Sequence, residues 1–430
     1  MTDRTKSPLK HNFNPDLFGI DSLLPEIIHF QNGIKCYQIN KGSQELVKIE
    51  FLFEAGTYFQ TKKFSAFSAV QLLTEGTATY TSFQISQIFD FYGAYIEKEI
   101  DRDFAIISIY CLNKHLDKIL PLVEEVLKSP VYPENEIDIF KKKHKSQLII
   151  NNEKVNFLAR TKFTEILFGK NHPYGAVADL VDIDNITRDD LLKFHKDYLS
   201  SANCKILISG KVTAECITNI SKFFGAEKWG NELINNTNFS ENEVGSDNCN
   251  FILKDNAVQS AIRIGKKMFN FNNPDYFSFQ LLNTVLGGYF GSRLMKNIRE
   301  DKGYTYGIGS AIIPLKHSGF FFVTTEVGAD YTQQTLDEIY KEIEIISTQP
   351  IDDEELMLVK NYKYGEFIRS IDGAFAISEV IKPIILYGLD FEYYKRYLHS
   401  LESASSYDLL QVAKKYLSSN DLTELVVGKK

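Results

Sequence analysis

The sequence predicts an α+β protein built from two homologous domains, each a mainly antiparallel sheet with helices packed on one face. A repeated segment is the first reason. Tyr-Leu-Ser-Ser occurs at 198–201 and again at 416–419, and each copy precedes a strand-like run that ends in Gly-Lys. The second reason is that strand-like and helix-like runs follow the same order in both halves. The chain of 430 residues is also longer than one ordinary core accommodates.

In the first half, apolar periodicity and turn signals mark the elements in order. Residues 27–39 hold two strand-like runs around Asn32-Gly33, a dipeptide typical of a tight hairpin. Thr187 is the expected N-cap of a helix over 187–198. The other predicted strands are 47–53, 104–110 and 205–209, and the other predicted helices are 64–73, 86–92, 116–127 and 135–152.

The second half contains a corresponding set of elements. A segment over 230–250, rich in Asn, Ser, Glu and Gly, predicts a linker between the halves. Residues 1–20 are polar with two prolines and predict an N-terminal arm with little structure. The predicted domains therefore span 21–229 and 251–430. The matching elements of the second domain are strands at 261–265 and 319–325 and helices at 276–286 and 335–346.

Composition excludes several classes of function. The formal net charge is −8 and no stripe of Lys and Arg is present, which argues against a nucleic-acid partner. No apolar run is long enough to cross a bilayer, so no membrane association is expected. The five cysteines are dispersed, as in proteins of a reducing compartment. With no recognisable signal or transit peptide at the start, we expect a cytoplasmic protein.

The most informative stretch is 286–310, which reads LGGYFGSRLMKNIREDKGYTYGIGS. Arg299 lies near the end of a predicted helix, Gly303 is its expected left-handed cap, and Tyr306 begins an extended segment. Arg and Tyr are both hydrogen-bond donors, so together they could hold a carbonyl oxygen or a developing oxyanion. In the alternative, Arg299 caps its helix and pairs with Glu300 or Asp301, while Tyr306 packs in a half-buried strand.

Several motifs make the chain resemble a known family, the pitrilysin/insulinase-type zinc peptidases, or inverzincins. The resemblance runs from about residue 27 to 430. Besides the duplicated layout, it is carried by Gly76-Thr77 after an apolar helix, by His172-Pro173-Tyr174-Gly175, and by the stretch 286–306. It implies that Arg299 and Tyr306, seven residues apart, hold the substrate at a catalytic centre.

The family's zinc motif, His-x-x-Glu-His, is degenerate in this chain. On the resemblance, Phe67 and Gln71 stand at the two histidine positions and Val70 at that of the general base. The third ligand, a glutamate in the family, falls near Gln147. Such side chains do not bind zinc, so we predict no cofactor in this chain and no peptidase activity from it alone.

No helical pair of histidines exists elsewhere to replace this motif, because no two of the eight histidines lie within ten residues of each other. His144 and His195 are on helices whose faces read as polar, so we expect both rings to be solvated.

The resemblance implies a non-catalytic, substrate-binding subunit of a heteromeric zinc metallopeptidase. In the bacterial two-chain branch of the family, the two chains enclose a clamshell chamber. The partner would be a paralogue with His-x-x-Glu-His that carries the zinc, and the substrate would be a peptide held by Arg299 and Tyr306. In isolation the chain could form a homodimer. The alternative is a catalytically inert structural or peptide-binding scaffold of the same fold. An independent peptidase would require metal ligands that this sequence lacks.

Overall fold

The computed structural model of the chain describes residues 20–232 and 249–429. The predicted arm before residue 20 and most of the predicted linker lie outside the described residues. The strands of the first half are β1 (Glu26–His29), β2 (Lys35–Asn40), β3 (Leu46–Phe53), β4 (Tyr95–Ile100), β5 (Ala105–Leu112) and β6 (Cys204–Gly210). Its helices are α1 (Ser65–Gln71), α2 (Ser82–Phe91), α3 (Leu116–Lys128), α4 (Glu134–Asn152), α5 (Val155–Phe168), α6 (Leu180–Asn185), α7 (Arg188–Tyr198) and α8 (Ala214–Ile220).

The second half repeats this arrangement. Its strands are β7 (Cys249–Leu253), β8 (Gln259–Met268), β9 (Thr305–Pro314), β10 (Gly319–Gly328) and β11 (Thr423–Gly428). Its helices are α9 (Tyr276–Asn283), α10 (Thr332–Thr348), α11 (Asp353–Ser370), α12 (Ala374–Tyr387), α13 (Tyr393–Ser403) and α14 (Ser406–Tyr416). Strand β7 begins two residues inside the segment predicted as a linker, and the Gly-Lys ends of the repeat follow β6 and β11.

The order of strands confirms the α+β fold and its duplication. The first sheet runs β1-β2-β6-β3-β5-β4 and the second runs β7-β11-β8-β10-β9. In each sheet one pair is parallel, β2 with β6 and β7 with β11, and the other pairs are antiparallel. The edge strands β4 and β9 therefore occupy equivalent places, as do α1 and α9 before them in the chain.

Each sheet is buried on both faces, because each half contributes one helix that covers the outer face of the other half's sheet. Their own helices cover one face, as predicted. The other face of the first sheet packs against α12, where Ile377 and Ile381 contact the side of β3 that carries Leu52. Reciprocally, α5 places Phe163 against the side of β8 that carries Ala261. Burying each large apolar side chain contributes roughly 1.5–3 kcal/mol. These contacts therefore hold the two halves together.

A buried ionic cluster lies between β3 and α12. Lys48 and Glu50 alternate with apolar residues of β3 and point towards α12. The ammonium nitrogens of Lys48 and Lys382 are 2.9 and 2.7 Å from Glu50 Oε1, and the Glu50 side chain has no exposed surface. Both lysines also contact Glu379, at 2.6 and 2.8 Å. Burial opposes the charge on Lys48, but the two glutamates outweigh it and hold its pKa above the ordinary value.

The His-Pro-Tyr-Gly loop also connects the halves. The Tyr174 hydroxyl donates to Asp103 Oδ1 at 2.5 Å and accepts from the His317 N–H at 3.2 Å. The Lys316 N–H donates to the other Asp103 oxygen at 2.9 Å. His172 Nδ1 accepts from the Tyr174 N–H at 3.1 Å and shapes the turn. Because Asp103 is 1% exposed, these hydrogen bonds satisfy a carboxylate that water does not reach.

Candidate functional site

The stretch before β9 contains π-helical turns, which are wider than the regular α-helix predicted for it. Two π-helical turns, Thr284–Gly288 and Met295–Asp301, flank a short glycine-containing loop. Such turns are rare and frequently occur at functional sites. Gly303 has φ +69°, which is the left-handed conformation expected of it. A Cβ atom on Gly287 would lie 2.6 Å from Ser310 Oγ, so this glycine lets the first turn approach β9 directly.

Tyr306 projects from the edge strand β9 with 94% of its surface exposed. A β-bulge explains this exposure. Thr325 of β10 lies opposite Ile308, but Val327 lies opposite Thr305, so β9 has one residue more than β10 in this interval. The Thr325 hydroxyl donates to the Thr305 hydroxyl at 2.9 Å and holds the bulge. Tyr306 is therefore not the half-buried packing residue of the alternative prediction.

Arg299 lies in the second π-helical turn and is half-buried. Its guanidinium carbon is 4.7 Å from the ring centre of Phe290, which is itself 63% exposed. Within 20–232 and 249–429, it forms no ion pair with Glu300, Asp301 or any other carboxylate. The ring orients the guanidinium while its N–H groups remain available as donors. The ion pair of the alternative prediction is thus missing.

Tyr306 borders a groove between the two halves. A lobe of about 300 Å³ lies beside it, with Gly307 and Thr325 on one wall and Asn156 of α5 on the other. The Asn156 side chain donates to Glu326 Oε1 at 2.8 Å and connects α5 to β10 at this point. The groove beside Tyr306 therefore extends to the start of α5.

The degenerate zinc positions lie on α1, as the counting from Gly76-Thr77 predicts, and an aromatic cluster surrounds them. Val70 is fully buried in the first core. Phe67 is half-buried and its ring centre lies 6.1 Å from Phe140 and 5.3 Å from His144, both on α4. A general base and a histidine ligand are thus replaced by apolar side chains that pack into the core. Phe67 and Val70 offer no lone pair to a metal, and the Gln71 amide is not among the usual zinc ligands, so the residues present do not fit zinc.

On α4, the residue that faces α1 is His144 and not Gln147. Gln147 is exposed and donates to Asn151 Oδ1 of its own helix at 3.1 Å. His144, one turn earlier, packs against Phe140 with 4.1 Å between ring centres and an angle of 48° between the ring planes. Burial, followed by the charge of Lys143, lowers the pKa of His144 below its ordinary value. His144 is therefore half-buried among aromatic rings, and the expectation that its ring is solvated was wrong.

A lysine fills the space beside the last turn of α1. Lys98 of the edge strand β4 donates to the Gln71 carbonyl at 2.5 Å and to Thr74 Oγ1 at 2.6 Å. The Gln71 side chain donates in return to the Lys98 carbonyl at 3.1 Å. Burial lowers the pKa of Lys98 to about 8, although Glu75 acts in the opposite direction. An ammonium group at this position disfavours any further cation. No local pattern points to Lys98, because its partner Gln71 is 27 residues away in the sequence.

His195 is likewise not solvated. It is 5% exposed, and its Nε2 lies 2.7 Å from the Leu127 carbonyl. Burial lowers the pKa of His195 to about 4, so the ring is neutral and Nε2 donates. In the described part of the chain, no three His, Cys, Asp or Glu side chains are grouped so as to hold a metal ion. Across the same residues, we find no helix with the length and apolar character needed to span a membrane.

Known proteins share both the sequence pattern and the fold. Residues 185–362 match the family described as "Peptidase M16 inactive domain". An "uncharacterized zinc protease" of Rickettsia bellii is 23% identical over 98% of both chains. A crystal structure of a peptidase M16 inactive domain from Pseudomonas fluorescens superimposes with a TM-score of 0.83 and 20% identity, covering 94% of this chain and 98% of that one. A chain of complex III2 from Candida albicans gives a TM-score of 0.71 at 14% identity, covering 94% and 95%.

These similarities extend over both halves, and they include the duplicated sheets and the segment that holds Arg299 and Tyr306. At the positions of the family's zinc motif the chain has Phe67, Val70 and Gln71. Residues 185–362 thus match the M16 inactive domain, and the fold of the whole chain is that of the solved M16 structures.

Proposed function

We propose that the chain is the non-catalytic, substrate-binding subunit of a heteromeric zinc metallopeptidase that degrades peptides. The observation that carries this proposal is the state of Arg299 and Tyr306. Tyr306 is almost fully exposed, and Arg299 has no carboxylate partner among the described residues. Hydrogen-bond donors without a partner in 20–232 and 249–429 are suited to a ligand from outside the chain.

In this role the two side chains act on the carbonyl oxygen of the scissile peptide bond. The Tyr306 hydroxyl and the Arg299 guanidinium donate hydrogen bonds to that oxygen, and these bonds strengthen as it acquires negative charge. The Phe290 ring limits where the guanidinium can move, so the donor is oriented before substrate arrives. This chain supplies neither the attacking water nor the general base.

The partner in this proposal is a paralogue that contains His-x-x-Glu-His and holds the zinc ion, which activates water there. The two chains form a heterodimer in the cytoplasm around a peptide chamber, and this chain binds no cofactor of its own. Without its partner the chain could form a homodimer. Metal analysis of the purified chain should find no zinc at stoichiometric level, and one zinc per chain would contradict the assignment.

The test is peptide cleavage by the chain co-expressed with such a paralogue. Tyr306→Phe and Arg299→Gln should each reduce kcat by about two to three orders of magnitude, as the loss of an oxyanion donor does. Tyr407→Phe is the matched control, because Tyr407 is also exposed, at 68%, but lies on α14 away from the groove. Cleavage by Tyr306→Phe at the parent rate would refute the proposal.

A second candidate is a catalytically inert scaffold of the same fold. Two observations favour it: the aromatic packing around Phe67, and the similarity to a chain of a complex, complex III2. A scaffold should support the assembly and abundance of its complex equally well with Tyr306→Phe. The proposed subunit should instead assemble normally and lose cleavage, so size-exclusion chromatography and the cleavage assay together separate the two candidates.

A further inference from the structure

The groove beside Tyr306 continues into a larger cleft between the two halves. This cleft has a volume of about 680 Å³, within the range of sites that hold small ligands or peptide segments. It shares Asn156, Gln259 and Glu326 with the lobe that Tyr306 borders. One wall is the start of α5, and the other includes the turn between β7 and β8. A peptide that contacts Tyr306 can therefore reach this cleft without leaving the surface.

The N-terminus of α5 opens into the cleft without a cap. Lys154 is the N-cap residue, its side chain accepts no hydrogen bond, and the first turn has no acidic residue. In the described chain, no group accepts a hydrogen bond from the N–H of Val155, Asn156 or Phe157. Free N–H groups at the start of a helix of 14 residues, together with the helix dipole, favour a negatively charged group.

A second, independent feature points to the same ligand charge. Arg263 of β8 is only 8% exposed, and its Nε has no hydrogen-bond partner. It lies directly opposite Thr324, which lines the smaller lobe, and residues opposite each other on antiparallel strands share a face. Its guanidinium stacks on Phe322 at 4.9 Å and forms no ion pair in the part of the chain described here.

The Arg263 guanidinium has little negative charge near it to balance its own. Burial, followed by the nearby charge of Arg160, lowers the pKa of Arg263 to about 10, although Glu326 acts in the opposite direction. Arg160 of α5 lines the cleft and stacks on Phe157 at 5.5 Å, also without an ion pair among the described residues. A buried, unpaired cation is unfavourable, and a bound anion would relieve it.

The cleft as a whole is cationic although the protein carries a net charge of −8. Lys254 and Glu153 neutralise each other at 2.8 Å. Among the residues that line the cleft, the remaining charged groups are Lys154 and Arg160, against Glu326 alone, and the Glu326 carboxylate already accepts a hydrogen bond from Asn156. Arg263 adds its charge from β8, where it lies opposite Thr324 of the adjoining lobe. The cleft therefore has more positive than negative charge and retains free donors.

We propose that this cleft binds a carboxylate of the peptide held at Tyr306, through the N-terminus of α5, Arg160 and Arg263. The carboxylate is either the C-terminal group of the peptide or an Asp or Glu side chain. This inference extends the proposed function, since it names a chemical preference of the same substrate groove. The preference does not depend on cleavage, so binding alone can test it.

The experiment measures binding of fluorescein-labelled decapeptides to the full chain by fluorescence anisotropy. One peptide has a free C-terminus and no acidic residue, a second is the same peptide amidated, and a third is amidated but contains one internal Glu. The first or the third should bind about tenfold more tightly than the second, as expected for hydrogen bonds to one charged group. Which of them does so identifies the source of the carboxylate.

Variants assign the preference to the cleft. Arg160→Gln and Arg263→Met should each remove the tenfold difference, whereas Arg369→Gln, which alters an exposed arginine of α11, should keep it. Arg263→Met should also melt at a higher temperature than the parent, because it removes an unpaired buried charge. A parent with no preference for carboxylate, or a preference that survives in both cleft variants, would overturn the inference.

The two proposals fail in different ways. If peptides bind equally well with and without a carboxylate while Tyr306→Phe still lowers kcat as expected, the carboxylate site is wrong and the proposed function remains. If the carboxylate preference is present but Tyr306→Phe cleaves at the parent rate in the assembled pair, the cleft binds peptide and the proposed catalytic role is wrong.

Discussion

Replacing Glu50 by glutamine should destabilise the protein by about 3 kcal/mol. The Glu50 carboxylate is fully buried between two ammonium groups at 2.9 and 2.7 Å. At an effective dielectric constant of about 20, each contact is worth about 6 kcal/mol before desolvation of the ions is subtracted. Breaking a buried ion pair usually costs about 3–5 kcal/mol. We expect the lower end, because Lys48 and Lys382 keep the partly exposed Glu379 as a partner.

The assay is urea unfolding at pH 7, followed by circular dichroism and by the fluorescence of the single tryptophan, Trp229, which packs against Phe53 in the first core. A companion variant removes the buried charges together, as Lys48→Met, Glu50→Leu and Lys382→Met. Replacing a buried ionic cluster by apolar residues is often neutral or stabilising, so this variant should recover the stability that Glu50→Gln loses. A loss below about 1 kcal/mol for Glu50→Gln, or a companion variant that is equally unstable, would refute the reasoning.

Two further effects on stability follow from buried polar groups. Tyr174→Phe should cost about 2 kcal/mol in urea unfolding, because Asp103 loses its hydroxyl donor in a site without water; Thr161→Val, which alters a hydroxyl bonded only within α5, should cost less. The second effect depends on pH, since burial lowers the pKa of His195 to about 4, below the value of about 6.5 in the unfolded chain. The unfolded state then binds more protons between these values, so the free energy of unfolding should be highest above pH 6.5 and fall by about 3 kcal/mol by pH 4. His195→Gln should flatten this part of the profile relative to the parent, and an unchanged slope would contradict the assignment.

Much of the fold could be predicted because local patterns specify it. Alternation of side chains predicts a strand at 47–53, and β3 spans Leu46–Phe53. Helical periodicity predicts 135–152, and α4 spans Glu134–Asn152. The expected N-cap Thr187 accepts a hydrogen bond from the Asp190 N–H at 3.3 Å. Each of these signals lies within a few residues of the element it specifies.

The contacts between the halves left no local signal. The hydrogen bond from Lys48 to Glu379 joins residues 331 positions apart. In β3, charged residues at two alternate positions, Lys48 and Glu50, suggest a solvated face, but α12 covers this face and buries both side chains. For the same reason His195, between Lys193 and Lys196 in the sequence, was predicted to be solvated although the Leu127 carbonyl covers it.

The candidate site was predicted only in part. Arg299 and Tyr306 could be selected because they are close in sequence, but the exposure of Tyr306 results from an extra residue in β9 relative to β10. Counting from Gly76-Thr77 identifies the positions on α1. Counting does not identify which residue of α4 faces α1. His144 faces α1 and Gln147, one helical turn later, does not. The roles of these residues in substrate binding stay predictions until the cleavage assay is done.

The crossing of α5 and α12 restricts where this protein can bend. Each sheet is packed between helices of both halves. Rotating one half against the other would expose two apolar layers to solvent and separate the buried ion pair of Glu50 and Lys382. The two halves are therefore expected to move as one rigid body. In the proposed heterodimer, a gap for a bulky substrate would therefore have to come from separation of the two chains. The rate of that separation would then limit how quickly substrates enter and products leave.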